Sequence, residues 1–155
     1  MRVAPNSTSG IRRFRELVTD AYRRFNVLER AEKGCFGVTM SQCMTLELLL
    51  DNGRLAVGAL AEALGLETST VTRTVDVLVR DGLLHRVRDE SVDRRRVFVS
   101  LTDAGRKLAV DLQRCADDYC ARILERVPAE RRDDLGEALA LLVGALDDLP
   151  TSSTG

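Results

Sequence analysis

The chain has 155 residues, 45% of them apolar, which is enough for one globular domain with an ordinary hydrophobic core. No apolar run approaches the roughly 18 to 20 residues that cross a membrane, and the first ten residues lack the apolar stretch of a secretory signal. We therefore expect a cytoplasmic protein without a membrane partner, with a flexible lead at 1–10 and a flexible tail at 151–155.

Charges are distributed unevenly along the chain, although the formal net charge is only -1. Residues 73–107 carry nine Lys or Arg against six Asp or Glu, whereas residues 108–155 carry five against ten. A local basic region, rather than the net charge, is what meets the phosphates of a nucleic acid. The middle of the chain is therefore where a nucleic-acid partner is expected to bind.

Two helices are predicted in the N-terminal third. Helical spacing of apolar residues indicates the first over 11–30, with arginines on its other face. Thr39, followed three residues later by Gln42, forms a capping box, which predicts that a second helix begins there and runs to about Leu50. The segment 51–53 then has the composition of a turn.

Two short helices are predicted next, separated by a turn of about three residues. An apolar stripe over 57–64 is ended by Gly65. The following helix runs from Thr68 to Asp81, and Ser69 or Thr68 is expected to cap it. Two short helices joined through a glycine are typical of a helix-turn-helix, whose second helix enters the major groove of DNA.

A hairpin follows the second of these helices directly. Alternating residues at 84–88 and 97–101 predict two half-buried strands, with the polar segment 89–96 as their loop. Thr102 is expected to cap a long helix, and Pro128 suits the first turn of a last one. A helix-turn-helix followed by such a hairpin is a winged helix.

The predicted fold is mainly α with a small β-hairpin wing, in a single domain at 11–150. Its parts are a winged helix-turn-helix core at 53–101 and long N- and C-terminal helices, at 11–50 and 102–149, for dimerisation. The long helices are amphipathic, yet a compact winged helix needs little additional apolar surface to cover its own core. Their apolar faces are therefore expected to pair with a second copy of the chain.

The N-terminal side chains of a recognition helix read base edges. In this sequence they are Ser69, Thr70, Thr72 and Arg73. Hydroxyl groups can reach phosphates or base edges, and the guanidinium of Arg73 can bind guanine through two hydrogen bonds. The alternative, in which Ser69 only caps the helix and Thr72 only faces solvent, stays open.

The hairpin is rich in arginine, which suits the negative potential of the minor groove. The arginines expected to contact DNA are Arg88, Arg94, Arg95 and Arg96. Asp93 would repel phosphate, so its expected role is to hold an arginine of the wing in the rotamer that contacts DNA. The alternative is a solvated charged loop.

Four cysteines, Cys35, Cys43, Cys115 and Cys120, accompany a single histidine, His85. None of them forms a C-x-x-C pair, so no zinc site is predicted, and structural disulfides are not expected in a chain without a signal. The thiols are candidate sensors of an oxidant, a thiophilic ion or a metalloid. The alternative is that they only pack, since cysteine is among the most buried residues.

Several segments between residues 39 and 107 together resemble the MarR family of regulators. They are 55–66 (LAVGALAEALGL), 69–73 (STVTR), 81–84 (DGLL), 93–95 (DRR, the family's Asp-x-Arg wing motif) and 101–105 (LTDAG). The resemblance implies a homodimer with interlocked terminal helices, which represses genes until an effector binds between its dimerisation and DNA-binding parts. It leaves the effector open between a small aromatic ligand, a thiophilic ion or metalloid and an oxidant, and it requires no cofactor.

The expected function is that of a homodimeric, sequence-specific regulator of transcription. Its partner would be double-stranded DNA with a near-palindromic operator, from which a small effector or thiol chemistry releases it. The alternative is a winged-helix module for protein interaction without DNA binding, which would have no use for an arginine-rich wing. An enzyme is not expected, because the sequence has no catalytic constellation, glycine-rich phosphate loop or nucleophile elbow.

Overall fold

A computed structural model describes residues 8–33, 36–88 and 97–149, without the side chains of 28–33 and 88. This part of the chain is mainly helical with one small sheet, which confirms the predicted fold class. The helices are α1 Thr8–Lys33, α2 Met40–Asn52, α3 Val57–Leu64, α4 Thr68–Arg80, α5 Asp103–Glu125 and α6 Arg132–Asp147; the strands are β1 Arg54–Ala56, β2 Leu84–Arg88 and β3 Val97–Leu101. None of the described helices is both long and apolar enough to span a bilayer.

The chain divides into two compact units, residues 1–113 and 114–155. The first unit holds the hydrophobic core, to which α2, α3, α4, the sheet and the first part of α5 all contribute. Helix α2 packs against α3, α4 and β3. Its side chains Cys43, Leu46 and Leu49 are completely buried, so α2 is part of the same core as the helix-turn-helix.

The start of α2 confirms the predicted capping box. The amide of Gln42 donates to the hydroxyl of Thr39 at 3.3 Å, and the amide of Thr39 donates to the side-chain carbonyl of Gln42 at 2.7 Å. Each bond satisfies an amide that the helix itself leaves without an acceptor. The helix therefore begins at the residue that the sequence indicates.

The turn between α3 and α4 depends on Gly65, which has a positive φ of 61°. Its amide and that of Leu66 donate back to carbonyl groups of the last turn of α3. A left-handed residue at this position is accessible to glycine without strain. Helix α4 then runs from Thr68 to Arg80 with Asp81 as its C-cap, which confirms the predicted bounds of this helix.

The sheet contains one strand more than the predicted hairpin. Strands β2 and β3 have the predicted bounds, but β1 pairs antiparallel with the other edge of β3, so the order is β1-β3-β2. In this pairing Leu55 lies opposite Val99. A strand of three residues is too short to show an alternating pattern, so its existence depends on the free edge of β3 rather than on local sequence.

Two further boundaries differ from the predictions. Helix α1 begins at Thr8, inside the segment expected to be a flexible lead to residue 10. Pro128 does not lie in the first turn of the last helix: it precedes a 3₁₀ turn, Ala129–Arg131, and α6 begins only at Arg132. With ψ of 134°, Pro128 is extended, and a following 3₁₀ turn closes through its carbonyl, which accepts from the amide of Arg131 at 2.9 Å.

Candidate nucleic-acid interface

The first two turns of α4 present four exposed polar side chains to solvent. These are Ser69, Thr70, Thr72 and Arg73, the residues that the sequence singles out for DNA contact. The opposite side of the helix is held in the core by Val71, Val75 and Leu78, all completely buried. At about 100° per residue, Ser69 and Arg73 lie almost opposite this buried stripe. The apolar residues therefore fix which side chains of α4 face outward.

The capping of α4 differs from the prediction that Ser69 or Thr68 is the cap. The N-cap is Glu67, which has an extended backbone and no capping side-chain hydrogen bond. Its carbonyl accepts from the amides of Thr70 and Val71 at 2.9 and 3.1 Å. Since the turn through Gly65 and Leu66 already places Glu67 at the helix start, the hydroxyl of Ser69 is not needed for capping and remains available to a ligand.

The hydroxyl groups of α4 differ in what they can still bind. Thr72 donates its proton to the carbonyl of Thr68 at 2.7 Å, so in this rotamer its oxygen can only accept a further hydrogen bond. Within the described part of the chain, no hydrogen bond engages the hydroxyl of Ser69 or Thr70, and no carboxylate pairs with Arg73. These three side chains can therefore donate to phosphate or base acceptors.

A cleft of about 610 Å³ lies beside α4, between the start of α3 and the wing strands. Thr68 and Thr72 form part of one wall, and Arg86 and Val97 lie on the sheet side. The remaining lining residues come from the end of β1 and the first half of α3: Ala56, Val57, Gly58, Ala59 and Glu62. Helix α4 and the base of the wing thus border one continuous concave surface.

An ion pair next to this cleft joins the sheet to α4. Arg86 of β2 donates from Nη2 to Oδ1 of Asp76 on α4. Neither residue belongs to the predicted DNA-contacting set, which comprises only the start of α4 and the arginines of the wing. The available signal was strand alternation: Arg86 is two residues after the buried Leu84, so it lies on the helix-facing side of β2.

The wing is described only at its base. The backbone of Arg88 closes β2, where it pairs with Val97 of β3. The side chain of Arg88 lies outside the described residues, as do Asp93, Arg94, Arg95 and Arg96. Their predicted roles in DNA contact and arginine positioning stay predictions.

The structure describes three of the four cysteines, and they differ in environment. Cys43 is completely buried in the first unit, and its thiol donates to Oε1 of Glu47 at 3.3 Å. In the second unit Cys115 is half-buried and Cys120 is exposed. Cys35 lies outside the described residues. Among the residues that are described, no cluster of three or more His, Cys, Asp or Glu side chains is placed to hold a metal ion.

Comparisons with known proteins agree with this architecture. The MarR family model matches residues 36–96. The HTH-type transcriptional regulator YfiV of Bacillus subtilis is 32% identical over 111 residues, which cover 72% of this chain and 69% of YfiV. The HTH-type transcriptional regulator MgrA of Staphylococcus aureus is 26% identical over 113 residues, which cover 73% of this chain and 75% of MgrA.

Solved structures give the same result. A MarR family protein from Bacillus stearothermophilus has a TM-score of 0.82 at 25% identity, covering 92% of this chain and 99% of that one. FabT of Streptococcus pneumoniae, solved in complex with DNA, has a TM-score of 0.76 at 25% identity and covers 89% and 98%. The related proteins are regulators of transcription and not enzymes. The chain belongs to the MarR family of winged helix-turn-helix transcriptional regulators.

Proposed function

We propose that the protein is a homodimeric, sequence-specific DNA-binding repressor that inserts the first two turns of α4 into the major groove. The observation that carries this proposal is the exposed set Ser69, Thr70, Thr72 and Arg73, held outward by the buried stripe on the other side of the helix. FabT, which was solved in complex with DNA, supports it through its similar fold. Because the partner is genomic DNA, we expect the protein in the cytoplasm.

The hydrogen-bonding state of each side chain suggests its part in recognition. Arg73 can donate two parallel bonds to the O6 and N7 atoms of guanine. Ser69 and Thr70 can donate to phosphate oxygens, which fix the position of the helix in the groove. The oxygen of Thr72, whose proton is already donated to Thr68, is suited to accept from an exocyclic amino group of adenine or cytosine.

The wing would supply the second contact of each protomer. Arg88 and Arg94–Arg96 are proposed to enter or flank the minor groove, where the negative potential favours guanidinium groups. Asp93 would hold one of these arginines in place. Contacts at both grooves explain why the basic residues are concentrated in the middle of the chain while the C-terminal part is acidic.

Dimerisation is supported by the apolar side chains that the two terminal helices leave exposed. In the first unit, α1 exposes Ile11, Phe14, Leu17, Val18, Tyr22 and Phe25. In the second unit, α6 exposes Leu139, Val143 and Leu146, which lie within about 60° of one another around the helix. Apolar surface of this extent on a small protein marks an interaction surface. A two-fold dimer would bind a near-palindromic operator with half-sites about one helical turn, roughly 10 bp, apart.

Release from DNA is proposed to follow an effector: a small aromatic ligand, a thiophilic ion or metalloid, or an oxidant acting on the cysteines. Among the described thiols, Cys43 is the one whose modification would most directly affect α4, because it is buried in the same core as Val71 and Val75 of that helix. Oxidation or ligation of a buried thiol enlarges it, and a close-packed core responds to added volume by shifting its helices.

The test is a titration of the full-length protein with duplexes from the DNA that flanks its own gene. If several phosphates are contacted, the logarithm of the association constant falls steeply and linearly with the logarithm of salt concentration, with a slope of about -0.9 per contact. A scrambled duplex of equal length is the control for sequence specificity. Absence of binding to any duplex at about 50 mM salt would favour the alternative, a winged helix used only for protein interaction.

A further inference from the structure

An arginine occupies a position of β2 at which the pattern of the sheet calls for an apolar residue. Leu84 and Arg86 lie on the same face of the strand, and their partners on β3, Leu101 and Val99, are both buried. A guanidinium cannot stay on such a face unless its charge is paired or reaches solvent. The side chain of Arg86 does both: it is 45% exposed, and it donates a hydrogen bond to Asp76.

The partner carboxylate belongs to the flank of α4 that borders the cleft. Thr68, Thr72 and Asp76 are spaced four residues apart, so they follow one another along the same side of the helix. Thr68, Thr72 and Arg86 line the same cleft. Arg86 therefore holds its charge beside the part of α4 that is proposed to enter the groove, although it belongs to the sheet.

We propose that Arg86 is a further DNA-contacting residue, which binds a backbone phosphate at the edge of the groove, and that Asp76 positions it. The proposal rests on the proposed function. Guanidinium has five N–H donors and a carboxylate oxygen takes one of them, so donors remain for a phosphate. Arg86 belongs to the sheet and not to the outward face of α4, and about half to two-thirds of protein–DNA hydrogen bonds go to phosphate and sugar, so a phosphate is its expected partner.

The role of Asp76 follows from its charge. A carboxylate next to the path of the DNA repels phosphates, so by Coulomb interaction alone its removal should strengthen binding. If Asp76 positions Arg86, removal of the carboxylate weakens DNA binding. Without the ion pair the Arg86 side chain is mobile in the free protein, so DNA binding must immobilise it at a cost in conformational entropy. The sign of the change in affinity therefore separates a positioning residue from a mere neighbour.

The experiment uses four variants of the full-length protein, R86Q, D76N, their combination and R80Q, on one duplex over a range of NaCl concentrations. Arg80 is the matched control: it is also on α4 and paired with an aspartate, Asp81, at 3.2 Å. It lies at the C-terminal end of the helix, about 18 Å along the axis from Thr68. Thermal unfolding of each variant is recorded in parallel.

For R86Q we expect weaker binding by a similar factor on specific and scrambled duplexes, and a salt slope smaller by about one per protomer. D76N should weaken binding alone but add nothing to R86Q, and R80Q should leave the slope unchanged. An unchanged slope for R86Q with a lower melting temperature would overturn the proposal in favour of a structural brace. Tighter or unchanged DNA binding by D76N would also overturn the proposal. If R86Q does not fold, the affinity of D76N alone tests the proposal.

Failure of the proposed function would look different. In that case the unaltered protein would bind no duplex at low salt, and both proposals would fall together. A steep salt slope for the unaltered protein with no change in R86Q would overturn only the assignment of Arg86.

Discussion

Gly105, in the first turn of α5, lies directly against the carbonyl group of Leu83, so that a Cβ on the glycine would be 2.0 Å from that oxygen. Two hydrogen bonds fix the same contact. The amide of Thr102 donates to the carbonyl of Leu83 at 3.0 Å, and the hydroxyl of Thr102 donates to that of Gly82 at 2.8 Å. The start of α5 is therefore joined to the turn that follows the recognition helix.

This contact leads to a prediction for stability. Gly105→Ala should lower the free energy of unfolding by about 1 to 3 kcal/mol, the usual cost of forcing an extra group into a packed site. Urea unfolding followed by circular dichroism measures it. Gly144→Ala in α6 is the control: a Cβ there meets no atom within 4 Å, and the position is about 140° from Leu139 around the helix, so this change should be neutral or stabilising through helix propensity. Equal effects of the two substitutions would contradict the close contact.

Arg73 is expected to read a base. Arg73→Ala should weaken binding to the operator by about 1 to 3 kcal/mol and relax the preference at one base pair of each half-site. Binding to scrambled DNA should weaken much less. Competition assays with single-base operator variants measure the preference, and Arg80→Ala serves as the control for loss of a positive charge on the same helix. A uniform loss on all sequences would instead make Arg73 a phosphate contact.

The wing arginines are expected to add to affinity independently of α4. Arg94→Ala or Arg95→Ala should weaken operator binding by about 1 to 3 kcal/mol if the side chain is inserted in a groove. The measurement is a binding isotherm at fixed salt, because the electrostatic part of the affinity changes with ionic strength. Unchanged affinity of both single variants would remove the wing from the recognition mechanism.

The exposed face of α6 is expected to be buried in the dimer. Leu139 is 53% exposed in the single chain, and Leu139→Arg should shift the protein towards monomer because a buried, unpaired guanidinium is costly. Light scattering coupled to size-exclusion chromatography measures the mass. Glu137→Arg introduces the same group about 160° away around the helix, so it should stay dimeric. A dimeric Leu139→Arg protein would place the interface elsewhere.

The cysteines give a prediction for regulation. If the N-terminal thiols sense an oxidant or a metalloid, peroxide or arsenite should lower the operator affinity of the unaltered protein, and replacement of Cys35 and Cys43 by Ala should abolish the response. Replacement of Cys115 and Cys120 is the control and should preserve it. Thiol titration before and after treatment counts the groups consumed. Unchanged affinity in the unaltered protein would leave the cysteines as packing residues only.

Local sequence determined the elements that depend on neighbouring residues. The capping box of Thr39 and Gln42, the bounds of β2 and β3, and the recognition helix from Thr68 could all be predicted, because apolar periodicity and capping act over a few residues. The exposed residues of α4 could be predicted for the same reason: a buried stripe on one side of a helix determines which side chains face outward.

Tertiary structure alone decided the features that join segments distant in sequence. Strand β1 exists because β3 has a free edge with which it can pair. Glu67 rather than Ser69 is the N-cap of α4 because the preceding turn places Glu67 at the start of the helix. The pair of Arg86 and Asp76 and the contact of Gly105 with Leu83 bring together residues of different elements. Strand alternation indicates that Arg86 faces the helix side of β2, but no local pattern encodes which residue it contacts, since that depends on how the helices and the sheet pack against one another.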